Sequence, residues 1–343
     1  MKRYLTETKT AAAAALGAAA FLWLGLPLPF LMGPMAICLV LALLGQDLKG
    51  MGLIGLTFRT ILGVAIGASI TPQILTALPS MAYSLALLPI FLICVGLTSY
   101  PLLRRVFGFD KVTSYYASMP GGLQDLLIFG EEAGANVRAL SLIHATRVLC
   151  IIGAAPLLLS FFWNIDLIAP PGKPTADTPP LQILLLISAG LIGWRIAARL
   201  NMFGASLLGP MILTAILSVT GVITQRPPAE MIWASQFFIG IAVGSRYVGL
   251  TLKEMKTTVL AGLLNGLLLA IISGIFIITI SKLGLTSSML NTFLAFLPGG
   301  QSEMVVLAII AGADLTYVVL HHLLRIALIV TIAPLLLKKL GKK

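Results

Sequence analysis

Residues 119–125, Met-Pro-Gly-Gly-Leu-Gln-Asp, return at 297–303 as Leu-Pro-Gly-Gly-Gln-Ser-Glu, an offset of 178 residues (119 to 297). Upstream, Gly33-Pro34-Met35 matches Gly209-Pro210-Met211 in the same order. The chain is therefore two copies of one unit. Downstream, the offset also relates Gly134 to Gly312, His144 to His322, Arg147 to Arg325 and Pro156 to Pro334.

The composition indicates a membrane protein. Apolar residues form 58% of the 343 residues and charged residues only 10%, whereas soluble domains carry about 25% charged residues. Apolar runs of about twenty residues recur along the chain, and each can cross a hydrocarbon core as a helix. Because lipid offers no hydrogen-bond partners, only helices and closed barrels span it, and these runs are too long for barrel strands. We predict an all-α polytopic membrane protein.

A proline-rich polar stretch divides the two copies. Its composition is that of a linker, and it covers residues 163–180. The predicted organisation is a first membrane repeat at 1–162, this linker, and a second membrane repeat at 181–343.

The distribution of basic residues favours opposite orientations of the repeats. Each half has six apolar runs, and we expect the Pro-Gly-Gly run to dip into the membrane and return. Five crossings per half then remain, which inverts the second half. All basic residues outside the membrane become cytoplasmic except Lys173, Arg226 and Lys282, as the positive-inside rule favours. We predict inverted repeats in the cell inner (cytoplasmic) membrane, with both termini cytoplasmic.

The sequence argues against several functional classes. The net charge of +11 is scattered between apolar runs instead of forming one basic face, so we expect no direct binding of nucleic acid. The three cysteines, Cys38, Cys94 and Cys150, lie in apolar runs without metal-ligand spacing. Nucleotide-binding, hydrolase and zinc-protease motifs are missing from the sequence. We expect no enzymatic activity, no cofactor and no metal.

The Pro-Gly-Gly segments are the first part of the predicted site. A proline followed by two glycines ends one helical piece and begins another, whose amides carry partial positive charge. An acid follows in the first turn of each new helix. It either caps that helix or serves as the coupling group for protons or sodium, since charge at membrane depth costs at least about 3 kcal/mol. The predicted residues are Pro120, Gly121, Gly122, Gln124, Asp125, Pro298, Gly299, Gly300, Ser302 and Glu303.

A histidine and an arginine form the second part of the site in each half. His144 with Arg147, and His322 with Arg325, are three residues apart and share a helical face. Two interpretations stay open. The arginines pair with the acids of the Pro-Gly-Gly segments, or they bind an anionic substrate beside histidines able to titrate near neutral pH.

The Gly-Pro pairs, Gly33-Pro34 and Gly209-Pro210, lie near the start of the second run in each half. A proline there either interrupts a helix or occupies the first turn of one. Both interpretations assign these pairs to the architecture of the protein.

These motifs together resemble one known family. Leu-Met-Gly-Pro-Met at 31–35 and Leu-Leu-Gly-Pro-Met at 207–211, followed in each half by Pro-Gly-Gly with an acid and by His-x-x-Arg, are similar to the AbrB-duplication membrane family. The resemblance implies one of two labels, regulator of gene expression or ammonia monooxygenase. Neither follows from the residues, and the second requires metal ligands that the sequence does not offer. The repeat layout also resembles cation/proton antiporter and anion transporter folds.

The sequence therefore predicts a secondary transporter of a small anionic solute, coupled to an ion through intramembrane carboxylates. The alternative is a membrane-embedded regulator that affects gene expression indirectly through a protein partner, and a channel is the third possibility. The expected partners are the lipid bilayer and a small-molecule or ion substrate. A homo-oligomer is left open.

Overall fold

The structure is a computed structural model whose backbone is described at 2–70, 81–202, 204–286 and 288–340. Within these ranges the chain is helical and contains no strand, and side chains are described except at 2–5, 123–125, 334 and 338–340. The helices of eight or more residues in the described ranges are α1 (Lys2–Trp23), α2 (Pro29–Leu43), α3 (Gly52–Gly67), α4 (Leu88–Pro101), α5 (Lys111–Ser118), α6 (Leu123–Glu132), α7 (Val137–Trp163), α8 (Pro180–Arg199), α9 (Ala205–Val219), α10 (Ala229–Gly244), α11 (Leu260–Lys282), α12 (Met289–Phe296), α13 (Gln301–Ile310) and α14 (Leu315–Leu340).

Long apolar helices confirm the membrane class. Within the described residues, five helical stretches are long and apolar enough to cross a bilayer. Helices such as α2, α3 and α9 are apolar but shorter. The long stretches are Met81–Val106, Val137–Trp163, Pro180–Arg199, Leu252–Lys282 and Leu315–Leu337.

The helices gather into two compact units, and each unit draws on both halves of the sequence. The units therefore do not follow the boundary at 163–180. The first unit comprises Met1–Ala77, Pro156–Gly249 and Val305–Thr316, and the second comprises Leu78–Ala155, Leu250–Met304 and Tyr317–Lys343.

Close glycine contacts hold the first two helices of each half together in the first unit. Gly17 of α1 and Gly33 of α2 touch backbone to backbone, and a Cβ added to either would collide with the other helix. Gly193 of α8 and Gly209 of α9 make the same contact in the second half. Small residues let membrane helices approach closely, which strengthens dispersion and backbone contacts.

Within the first unit, helices of one half also pack against helices of the other half. Gly63 of α3 packs against the backbone of Leu207 in α9, and Gly240 of α10 packs against Leu31 in α2. The stacked rings of Phe58 and Phe238, 4.4 Å between centroids, lie in the α3–α10 interface. The second helix of each half thus packs against the third helix of the other half, so the sequence duplication is also a duplication of contacts.

The Gly-Pro pairs differ from both sequence-based interpretations. Pro34 and Pro210 lie inside the continuous helices α2 and α9. Each helix begins five residues before its proline, so neither proline interrupts a helix or opens its first turn. The preceding glycine explains the pattern, because it provides the close contact with the neighbouring helix.

Within the first unit, hydrogen bonds connect the linker between the repeats to the start of α10. The Thr175 amide and hydroxyl both donate to the Glu230 carboxylate at the start of α10, at 2.9 and 2.7 Å. The Ala229 amide donates to the Lys173 carbonyl at 2.9 Å. Hydrogen bonding from Thr175 lowers the pKa of Glu230, so this attachment is lost only as the pH falls through that lowered value.

The close approach at Gly209 leads to a stability prediction. Gly209→Ala places a methyl group against the backbone of α8, and we expect it to destabilise the protein by about 1–3 kcal/mol, the usual cost of overpacking. The matched control is Gly153→Ala in α7, where a Cβ meets no heavy atom within 4 Å. Thermal unfolding of both variants in detergent checks this. Equal melting temperatures would show that the α8–α9 contact tolerates extra volume.

Candidate functional site

Each half contains an interrupted helix in the second unit, and equivalent residues begin both. The Asp110 carboxylate accepts a hydrogen bond from the Thr113 amide at 2.8 Å and caps α5. The Ser288 hydroxyl accepts from the Asn291 amide at 3.3 Å and caps α12. Asp110 and Ser288 are 178 residues apart, so the repeat extends to the helix start.

The predicted interruptions occur at the Pro-Gly-Gly segments. The backbone turns from helical to extended at Met119 and at Leu297, with ψ of 132° and 133°. The helices resume at Leu123 and at Gln301, as α6 and α13. Each break therefore leaves carbonyl groups at the end of one short helix and amides at the start of the next, in apolar surroundings.

Glycines end the second helical pieces in a shared way. Gly134 and Gly312 adopt positive φ, 84° and 63°, directly after α6 and α13. The next amides, of Ala135 and Ala313, donate back into the helix at 2.7 and 2.9 Å. This left-handed helix end is the reason that Gly-Ala recurs at the repeat offset.

Arg325 of α14 is bonded to the second break. Its Nη1 donates to the Leu297 carbonyl at 3.0 Å, and its Nη2 donates to the Gly299 carbonyl at 3.2 Å. The side chain is only 2% exposed. A guanidinium carries five donors in a fixed fork, so one side chain can satisfy several carbonyl groups that the interrupted helix leaves open.

His322 takes part in the same network. Its Nδ1 lies 2.8 Å from Nη2 of Arg325, and its Nε2 lies 3.0 Å from the Leu294 carbonyl. Because arginine can only donate, Nδ1 accepts and Nε2–H donates to the carbonyl. His322 is thus held as one neutral tautomer, and a second proton on the ring requires loss of the bond from Arg325.

Arg147 of α7 occupies the equivalent position at the first break. Its Nη1 donates to the Met119 carbonyl at 3.0 Å, and the side chain is 1% exposed. His144, one turn earlier, is fully buried. The repeat therefore places one buried arginine on the carbonyl that precedes each Pro-Gly-Gly segment.

One of the two interpretations, an ion pair between an arginine and the acid of its own half, is not seen for Arg325 and Glu303. Arg325 contacts carbonyls and His322, and it forms no ion pair with Glu303 among the described side chains. The reason is local, because the interrupted helix presents carbonyl acceptors directly beside the guanidinium. The side chains of Gln124 and Asp125 lie outside the described residues.

Glu303 lies in the first turn of α13 and folds back over Gly300. A Cβ added to Gly300 would collide with the Glu303 carboxylate, so this glycine makes the space that the carboxylate occupies. Glu303 is 6% exposed, and Ser302 beside it is also buried. The helix N-terminus favours a negative charge there, which agrees with the capping interpretation. Burial of an ionisable group within apolar sequence also agrees with a coupling role.

Both breaks contact α14 in the second unit. A Cβ on Gly121, in the first break, would meet the Ile329 side chain at 3.1 Å, one turn after Arg325 on α14. The Tyr115 hydroxyl at the first break donates to the Ala333 carbonyl of the same helix at 2.8 Å.

The sequence analysis missed one polar residue, Asn265. It is fully buried in the apolar helix α11, and its amide lies 3.5 Å from the Ala117 carbonyl at the end of α5. Gly262 and Gly266 flank it and let α11 approach α7 beside Arg147. An asparagine within a run of leucines was the available signal, since polar groups at membrane depth are rare.

Asn265 provides a prediction that separates stability from function. Its Oδ1 is buried without a hydrogen-bond partner among the described residues. A leucine removes this unsatisfied oxygen and also the long 3.5 Å bond from the amide to the Ala117 carbonyl, and because the two effects oppose each other we expect a net change within about 1 kcal/mol. We expect Asn265→Leu to keep the melting temperature and to reduce any solute binding, measured by isothermal titration with the solute identified by flux. A large loss of stability would instead make Asn265 a structural residue.

Buried donors without partners among the described residues lie beside both breaks. Nε of Arg147, Nε of Arg325 and Nε2 of Gln301 are all buried, and the described structure gives them no hydrogen-bond partner. Two guanidinium groups and these donors together favour an anion. The described residues contain no cluster of three or more histidine, cysteine or acidic side chains that could hold a metal.

Comparison with known proteins agrees with the motifs. The family model described as "Transition state regulatory protein AbrB" matches residues 30–341. The chain belongs to the AbrB family. Among AbrB-family relatives, it is 26% identical over 322 residues to "Putative regulator AbrB" of Escherichia coli (strain K12), with 92% of this chain and 90% of the relative covered. It is 25% identical over 334 residues to "Uncharacterized protein YhjN" of Bacillus subtilis (strain 168), with 90% and 86% covered. No solved structure matches this AbrB-family chain.

Proposed function

We propose that this protein is a membrane secondary transporter, and not an enzyme, that moves a small anionic solute coupled to an ion. The observation that carries this proposal is that both interrupted helices contact α14, with Arg147, Arg325 and Glu303 all buried. Interrupted helices within apolar sequence are costly unless the polar groups they release bind one another or a solute.

The electrostatics support an anion as the solute. Both arginines are cationic and lie at the breaks, and each retains a buried Nε–H beyond its bonds to carbonyls. An anion bound beside them satisfies these donors. Within the proposal, the carbonyl bonds hold the arginines in place when no solute is bound.

Glu303 is the proposed coupling group. It is a buried carboxylate in the first turn of α13, where the positive end of the helix dipole stabilises its negative charge. Binding of a proton or a sodium ion can replace that stabilisation. By repeat equivalence, Asp125 is proposed for the same role in the first half. Inverted repeats, an inner-membrane location and cytoplasmic termini belong to the same proposal, and the distribution of basic residues supports them.

The test is uptake into proteoliposomes that contain the purified protein. Radiolabelled mono-, di- and tricarboxylates and inorganic phosphate are offered under an imposed proton or sodium gradient. We expect at least one of them to accumulate against its own gradient, which a channel cannot achieve. Glu254→Gln, at a carboxylate paired with Arg138 away from the breaks, is expected to leave accumulation unchanged. Uptake equal to that of empty liposomes for all solutes and both gradients would refute the proposal.

A regulatory role is the second candidate, favoured by the name of the Escherichia coli relative. It requires a cytoplasmic protein partner that recognises exposed basic residues, such as Arg104, Arg105, Lys253 and Lys256. Cross-linking in intact cells, followed by purification, is expected to recover one partner, and charge reversal at these positions is expected to abolish its recovery. Recovery unaffected by these changes would argue against this candidate.

A further inference from the structure

The second unit contains a cavity of about 530 Å³ that reaches the proposed transport site only at Met119 and Pro120 of the first break. Helix α4 lines it from Pro89 to Pro101, with Gly96 in the middle, and α5 and α14 form the other walls. Twelve residues of helix extend roughly 18 Å. The shape is therefore that of a narrow groove along a membrane helix.

The lining of the groove is mainly apolar, and two of its hydroxyl groups, those of Ser118 and Tyr115, are already bonded to the protein. The Ser118 hydroxyl donates to the Tyr115 carbonyl at 2.7 Å, and the Tyr115 hydroxyl donates to the Ala333 carbonyl at 2.8 Å. An occupant consequently contacts mostly carbon atoms. This chemistry suits a hydrocarbon chain and disfavours a small hydrophilic anion.

One end of the groove is basic. Lys111 lines the cavity at the start of α5 and is exposed, and Arg104 and Arg105 follow directly after α4. The nearby acid, Asp110, is engaged in capping α5 through the Thr113 amide. Lys111, Arg104 and Arg105 thus bring three cationic side chains to this end of the apolar groove.

We propose that the groove binds one acyl chain of an anionic phospholipid, with the phosphate group held at Lys111 and the adjacent arginines. Basic pockets next to membrane helices recognise anionic headgroups, and each lysine or arginine adds to the attraction. The groove adjoins Met119 and Pro120 of the first break. A bound lipid therefore packs against the interrupted helix and stabilises it. The proposal does not depend on transport.

The test measures thermal unfolding of the purified full-length chain in detergent with added lipid. Dioleoylphosphatidylglycerol is expected to raise Tm by roughly 3–6 °C more than dioleoylphosphatidylcholine at equal concentration. Lys111→Gln is expected to remove most of that difference. Gly96→Leu fills the groove, because a Cβ at Gly96 meets no heavy atom within 4 Å, and is expected to abolish stabilisation by both lipids.

Two controls keep the result specific. Gly274→Leu adds the same side chain at another open position, in α11, and Lys282→Gln removes an exposed lysine at the end of that helix. Both are expected to retain the full preference for phosphatidylglycerol. The proposal fails if the two lipids stabilise the native chain equally, or if Gly96→Leu leaves lipid stabilisation intact. It also fails if Gly96→Leu abolishes solute uptake alone, since the groove is then a path for the solute.

Discussion

Arg325→Met is expected to destabilise the protein by about 3 kcal/mol, because it leaves three buried acceptors without donors. These are the carbonyls of Leu297 and Gly299 and Nδ1 of His322. Each buried acceptor left open costs about 1–3 kcal/mol. Removal of a desolvated guanidinium offsets part of that cost. The net loss is therefore near the lower end of the sum.

The repeat provides the control for this prediction. Arg147→Met removes a single bond, from Nη1 to the Met119 carbonyl, and is expected to cost about 1 kcal/mol. Unfolding followed by circular dichroism in one detergent compares the two variants directly. Equal effects, or a stabilised Arg325→Met protein, would show that the arginines are not needed to hold the breaks.

A double-mutant cycle adds the histidine to the comparison. His322→Leu removes the acceptor for Arg325 and the donor to the Leu294 carbonyl. Because Arg325 and His322 belong to one network, the cost of the double change is expected to be smaller than the sum of the single changes, by about 0.5–3 kcal/mol. Strict additivity would mean that their bond contributes nothing to stability.

Local features of the fold could be predicted from the sequence because backbone chemistry determines them. Proline followed by two glycines ends a helix wherever it occurs, so the breaks after Met119 and Leu297 followed from the repeat alone. The left-handed glycines Gly134 and Gly312 were visible as part of the same repeat. These features depend on only a few neighbouring residues.

The partners of the buried side chains could not be predicted from local sequence. Charge alone predicts an acid beside Arg325, but the broken helix presents carbonyls at the right distance, and Glu303 turns back over Gly300 instead. In the pair Gly33-Pro34, the glycine and not the proline makes the structural contact, because it allows the close approach of α1. Both outcomes depend on where distant segments pack, which a single sequence does not specify.

Gly300→Ala is expected to reduce ion-coupled uptake at least about tenfold, with little change in stability. The new methyl group occupies the position of the Glu303 carboxylate, which can move because it is the end of a flexible side chain. A displacement that alters the free energy of ion binding by about 1.4 kcal/mol changes affinity about tenfold. Glu303→Gln is expected to abolish coupling altogether while leaving exchange of the solute down its gradient.

Gly299→Ala is the matched control for this experiment. A Cβ at Gly299 meets the terminal methyl of Met304 at 2.6 Å, and this flexible group can shift without touching the carboxylate. If Glu303 only caps α13, Gly300→Ala and Glu303→Gln lower stability by about 0.5–2 kcal/mol through the loss of a cap, and Gly299→Ala does not. Uptake per folded molecule then stays constant. A fall in coupled uptake confined to Gly300→Ala and Glu303→Gln, at unchanged Tm, instead makes the position of this carboxylate the determinant of coupling.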